Sequence, residues 1–179
     1  MSKLKLAVSS RDHNIGNGNA SIILVEYGDF ECPYCGHAHP LVKRLLKEKG
    51  KELNFVFRNF PLREIHHNAY DSAVAAEAAG KQGKYWEMHD LIFENQDKLS
   101  PGFLSSLAER LNLELTEFAK DSKSKEIENK IETDWESGIR SGVNGTPTFF
   151  LNGSPLLSYD ETYGSLLDAV ILESEMKLH

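Results

Sequence analysis

The stretch Ile22-Ile23-Leu24-Val25-Glu26-Tyr27-Gly28-Asp29-Phe30-Glu31-Cys32-Pro33-Tyr34-Cys35 decides the reading of this chain. A short apolar, β-branched run over 21–27 predicts a strand buried on both faces. A turn, Gly28-Asp29-Phe30-Glu31, leads into Cys32-Pro33-Tyr34-Cys35. Ala38, Leu41, Val42, Leu45 and Leu46 then recur at helical spacing up to Gly50. Residues 54–60 alternate as a second strand, with Phe55, Phe57 and Asn59 on one face, and Pro61 ends it. A strand, helix, strand crossover makes its two strands parallel. It places the cysteine pair where the first strand hands over to the helix.

These are the only two cysteines among 179 residues. A bridge closing so short a loop adds little stability, so the pair reads as chemistry and not as a staple. Cys32 falls at a helix N-terminus, where unpaired backbone N–H groups and the helix dipole favour an anion. Pro33 suits the first turn, because its missing N–H has no partner to lose there. Cys35, one turn further in, is the more buried. Cys32 is therefore the expected attacking thiol and Cys35 the resolving one. Lowering a thiol pKa from about 8.5 to about 6.5 stabilises the reduced form by only ~0.8 kcal/mol at pH 7, whereas lowering it to about 3.5 gives nearly 5 kcal/mol. Pro33-Tyr34 adds no positive charge, so an intermediate value is expected.

A zinc module is the rival reading, since His37 and His39 follow the cysteines directly. Four donors within eight residues at one helix start do not wrap a tetrahedral ion easily. Metal is therefore not expected, nor any other cofactor. His37 and His39 read as surface helix residues, Arg58 as a solvated arginine, and His66-His67 as a loop pair.

Residues 66–141 read as helical, with segments at 69–80, 85–95, 101–110 and 123–141. Ser100-Pro101 forms a cap-and-start signal, and Thr116 reads as the cap of a short further helix. Ile127, Ile131, Trp135 and Ile139 form one stripe, and Gly142 is the stop. Residues 148–151 and 154–158 read as a hairpin around Asn152-Gly153, and 162–176 as a last helix. The organisation is thus an arm at 1–19, a β-α-β part at 20–65, a helical insertion at 66–141 and a β-β-α part at 142–179.

Charge and hydropathy narrow the function classes. A formal charge of −7 without a Lys/Arg cluster speaks against nucleic acid. No run approaches the roughly 18 apolar residues of a membrane helix, so membrane insertion is not expected. Leu6-Ala7-Val8 is too short for a signal-peptide core. The expectation is a cytoplasmic protein, or a periplasmic one if the sequence is a processed mature form.

The cysteine motif, together with Gly142-Val143-Asn144-Gly145-Thr146-Pro147-Thr148-Phe149-Phe150, resembles the DsbA-like thiol:disulfide oxidoreductases of the thioredoxin superfamily. The fold class is accordingly α/β, a thioredoxin-like β-α-β … β-β-α with an inserted helical subdomain. The resemblance implies a cis peptide bond at Pro147, beside the cysteines. It gives Thr146 a backbone that pairs with extended substrate, and Glu26 the role of a buried acid relaying the proton of Cys35. Protein or peptide thiols would be the substrates, with a separate redox partner for recycling. The best-known periplasmic members carry His where Tyr34 stands, so the direction of exchange stays open. Relatives that act as glutathione-dependent transferases or isomerases of small molecules form a third alternative.

Overall fold

A computed structural model describes residues 3–176. Among them lie five strands: β1 (His13–Gly16), β2 (Ile22–Gly28), β3 (Leu53–Asn59), β4 (Thr148–Leu151) and β5 (Ser154–Pro155). They form one sheet in the order β1-β3-β2-β4-β5. β2 and β3 are parallel, as the crossover required, and the other pairs are antiparallel. The crossover helix is α1 (Pro33–Lys49).

Strand alternation sorts side chains onto two faces. Leu24, Phe55, Phe57 and Phe149 enter the larger core with α1 residues Cys35, Ala38, Val42 and Leu45. Val25, Tyr27, Val56 and Phe150 enter a smaller core on the opposite face. Between β3 and β4 come α2 (Ala69–Lys81), α3 (Tyr85–Phe93), α4 (Pro101–Arg110), α5 (Leu115–Asp121) and α6 (Lys125–Ser141), and α7 (Tyr163–Met176) follows β5. Ser100 caps α4 by accepting the Phe103 N–H at 3.2 Å. Gly142 stops α6 in the left-handed region, φ 84°. Asn152 (φ 48°) and Gly153 (φ 78°) make the hairpin turn with two positive φ angles.

Several expectations need correction. The arm at 1–19 contains the edge strand β1, which pairs with β3 from His13↔Phe57 to Gly16↔Asn54. The return strand stops at Pro155, short of 158. The short helix α5 is capped by the Glu114 carboxylate, not by Thr116. In α6, Ile127 and Ile131 are buried, but Ile139 is half exposed. A four-residue step turns about 400°, so the stripe drifts ~40° per step and has left the core by its last member.

Arg58 is not solvated: it is fully buried. It pairs with Asp12 (Nε–Oδ1 2.8 Å) and donates to the Leu6 carbonyl and to Tyr27 Oη at 2.9 and 3.0 Å. The segment before β1 folds back over the sheet to supply these partners. His39 is likewise buried, its ring stacked on Phe93, whereas His37 is exposed.

Candidate active site

Cys32 is the residue preceding α1, in extended conformation (φ −69°, ψ 123°), and Pro33 takes the first helical position. Both thiols are free. Cys32 is 4% and Cys35 0% exposed, while Tyr34 between them is 58% exposed. The Gly36 N–H donates to the Cys32 carbonyl at 3.0 Å, closing the first turn, and the Asp29 N–H donates to Cys35 Sγ at 3.4 Å.

The register of β2 and β4 brings the second motif to the same place. Tyr27 pairs with Thr148, and the strands are antiparallel, so the residues before β4 meet the turn after β2. The Thr146–Pro147 bond is cis. Cys32 Sγ donates to the Thr146 carbonyl at 3.3 Å. Thr146 Oγ1 is buried without a hydrogen-bond partner, which leaves it free to serve a thiolate.

The two sulfurs are driven apart in acidity. A hydrogen bond from the Cys35 thiol, outweighing burial, joins the Thr146 side chain and the backbone N–H groups of Cys35 and Tyr34 in holding the Cys32 pKa down to about 5. Burial pushes Cys35 well above its ordinary value, and its bond to Cys32 and the nearby Glu26 act in the same direction.

Glu26 sits in β2 between Phe57 and Phe149 of the neighbouring strands, facing the core that contains Cys35. It is 3% exposed, so it does not reach solvent at the strand end. Burial, and secondarily the Cys32 charge, raise its pKa to about 8. A carboxyl of this kind is a proton carrier in the working pH range.

Other residues at the site carried no sequence signal. Asp29, itself buried, accepts from the Glu31 N–H, the Leu62 N–H and His66 Nδ1, each at 2.8 Å. It thereby ties the cysteine turn to the segment after β3, and His66 has a structural role that its loop position did not suggest. Gln96 Nε2 donates to the Phe30 and Cys32 carbonyls at 2.8 and 3.0 Å. A Cβ at Gly36 would lie 2.0 Å from Gln96 Oε1, so only glycine admits this contact. Tyr159 stands edge-on to Phe149 at 4.8 Å, with its hydroxyl buried and unpartnered.

The Cys/His cluster of the zinc reading does not converge. His37 Nε2 bonds the Glu161 carbonyl, and His39 turns to α3. Among the described residues, the one group of three or more His, Cys, Asp or Glu side chains able to share an ion is His39, His89 and Asp90, without either cysteine.

A free dithiol at a helix start, beside a cis proline and with five helices between β3 and β4, is the arrangement expected of a thioredoxin-like fold with a helical insertion. A family model described as Thioredoxin matches residues 9–169, and the chain belongs to that family. The fold is shared with a thioredoxin-like oxidoreductase from Silicibacter pomeroyi (TM-score 0.83, 23% identity, 94% of each chain covered). It is shared too with oxidised BdbD from Bacillus subtilis (TM-score 0.79, 21% identity, 91% of this chain and 92% of that one). Wolbachia pipientis alpha-DsbA1 matches at 25% identity and TM-score 0.77, over 97% of this chain and 98% of that one. Among curated relatives, the Na(+)/H(+) antiporter NhaA 1 of Salinispora arenicola is 46% identical over 143 residues, 80% of this chain and 22% of the antiporter. The antiporter NhaA of Herminiimonas arsenicoxydans is 38% identical over 160 residues, 88% of this chain and 25% of that protein. The chain thus spans about a quarter or less of the length of these curated relatives.

Proposed function

We propose that the chain exchanges disulfides with protein or peptide thiols, Cys32 attacking and Cys35 resolving. The observation that carries this reading is the divergent setting of the two sulfurs, one held near pKa 5 and the other buried and pushed up. In the oxidising direction, a substrate thiolate attacks Cys32 of the Cys32–Cys35 disulfide. Cys35 leaves as a thiolate and takes a proton, for which Glu26 is the nearby buried acid. A second substrate thiolate then attacks the mixed disulfide and displaces Cys32. Two substrate thiols become one disulfide, and the protein ends as the dithiol.

At pH 7 a thiol pKa of about 5 in place of about 8.5 stabilises the reduced form by roughly 3 kcal/mol, or about 60 mV for two electrons. That favours passing disulfides on over receiving them, and a separate redox partner then reoxidises the dithiol. A disulfide donor needs a compartment that does not reduce it, which favours the exported form over the cytoplasmic one. Thr146 and Pro147 supply the edge on which an extended substrate would lie. Ion antiport is not carried over from the NhaA antiporters, because about three quarters or more of each of those proteins has no counterpart in this chain.

Incubation with a reduced peptide dithiol tests the proposal. The wild-type disulfide form should oxidise the peptide; Cys35→Ser, offered the peptide's disulfide instead, should accumulate a mixed disulfide through Cys32, and Cys32→Ser should be inert in both directions. Turnover by Cys32→Ser at the wild-type rate would overturn the proposal.

A further inference from the structure

One cluster of ligating side chains lies outside the dithiol chemistry. His39 stands on α1, one helical turn beyond Cys35, and His89 and Asp90 stand on α3. Asp90 Oδ1 is 3.1 Å from His89 Nδ1 and 3.8 Å from His39 Nε2. One donor atom from each residue falls within 4.8 Å of the others.

Both imidazoles are more than nine-tenths buried; His39 Nε2, the nitrogen that faces Asp90, is without a hydrogen-bond partner, while His89 faces Asp90 with Nδ1. A buried polar atom left unpaired is costly, so His39 Nε2, aimed at Asp90, is an acceptor waiting for a partner. Donor atoms around a tetrahedral zinc with bonds of about 2.0–2.1 Å lie about 3.4 Å apart. Two of the three donor separations, 3.1 and 3.8 Å, bracket that value, and the third, between the two imidazoles, is within 4.8 Å.

The surroundings fit as well. Lys43 Nζ pairs with Asp90 Oδ2 at 2.8 Å, and Oδ1 shares a hydrogen bond with His89 Nδ1 at 3.1 Å, a bond that an ion between the two atoms would replace; Lys43 has a second carboxylate in Glu94 at 3.2 Å. The Asp90 carboxylate is one-third exposed, giving a way in from solvent. Phe93 stacks on His39 and fixes its ring. Imidazole with carboxylate suits a borderline transition ion and not calcium or magnesium.

We propose that His39, His89 and Asp90 form a site for one Zn2+-type divalent ion, with an open position for water, linking the cysteine-bearing helix to the helical insertion. The site shares only His39 with the Cys/His cluster of the zinc reading.

The test uses the full chain carrying Cys32→Ser and Cys35→Ser, so that the dithiol binds nothing. Calorimetric titration with Zn2+ should show one equivalent bound, and Co2+ should give tetrahedral ligand-field bands without thiolate charge transfer. His39→Phe, which keeps the stack on Phe93, should abolish binding. Asp90→Asn, on a partly exposed residue, should weaken it at least tenfold and guards against misfolding of the first variant. Absence of binding in the serine background overturns the proposal, as does undiminished affinity in Asp90→Asn.

Discussion

The Cys32 thiol donates to the carbonyl oxygen of Thr146 at 3.3 Å, across the gap between the helix start and the strand that follows the cis proline. That carbonyl belongs to the backbone edge proposed for substrate. Ionisation of Cys32 removes the S–H donor, releases that carbonyl, and gives the unpartnered Thr146 hydroxyl a charged acceptor. Under the proposed function, activation of the nucleophile and opening of the substrate edge would thus be one event. Thr146→Val keeps the shape and the carbonyl but deletes the hydroxyl. It should raise the Cys32 pKa, read from alkylation rate against pH. An unchanged titration curve would remove the hydroxyl from the account.

Glu26 makes a pH-dependent contribution to stability. In the unfolded chain it loses its proton near 4.5, whereas in the fold it keeps it until about 8. Its folded pKa is raised, so its contribution falls as pH rises through that window and is flat on either side. The size is at most about 5 kcal/mol. The Cys32 thiolate acts with the opposite slope between about 5 and 9, so the difference between two proteins is the useful quantity. Urea unfolding of the reduced forms should show Glu26→Gln gaining on wild type between pH 5 and pH 8. A constant difference across that range would contradict the raised pKa.

Gln96 and Gly36 act as one device. Gln96→Ala removes two hydrogen bonds to the carbonyls of the cysteine turn, a loss of about 1–3 kcal/mol. Gly36→Ala forces Gln96 out of the same position. Each variant should unfold at lower urea concentration than wild type. The double variant should be less destabilised than the two effects added. Strict additivity would show that the residues do not share this contact.

Arg58 belongs to the scaffold and not to the electrostatics of the thiol. Arg58→Met strands the buried Asp12 carboxylate, which costs about 3–5 kcal/mol for a buried pair broken on one side. Denaturation should register that loss while the Cys32 titration stays in place. A shift of the Cys32 midpoint in this variant would assign Arg58 to the active site.

The cysteine turn, its helix and the parallel strand pair were legible because local signals agreed: apolar strand runs, Pro33 in the first turn and helical spacing after it. The Asn152-Gly153 hairpin followed from residues that tolerate positive φ. What escaped depended on distant partners. His13–Gly16 is too polar to announce a strand, and it becomes one because β3 offers an open edge. Arg58 and His39 read as surface residues until Asp12 and Phe93 arrive from elsewhere in the chain. Gln96 lies sixty-four positions from the carbonyl it holds, and no periodicity encodes that meeting. The buried state of Glu26 was suggested only by its place in an apolar strand and by the resemblance of its surroundings.

The most direct measurement is the ionisation of Cys32 in the reduced protein, followed by thiolate absorbance and by the pH dependence of its alkylation. The account predicts a midpoint near 5 for Cys32, with Cys35 still unreactive where Cys32 is fully ionised. A midpoint near the free-cysteine value of about 8.5 would contradict it.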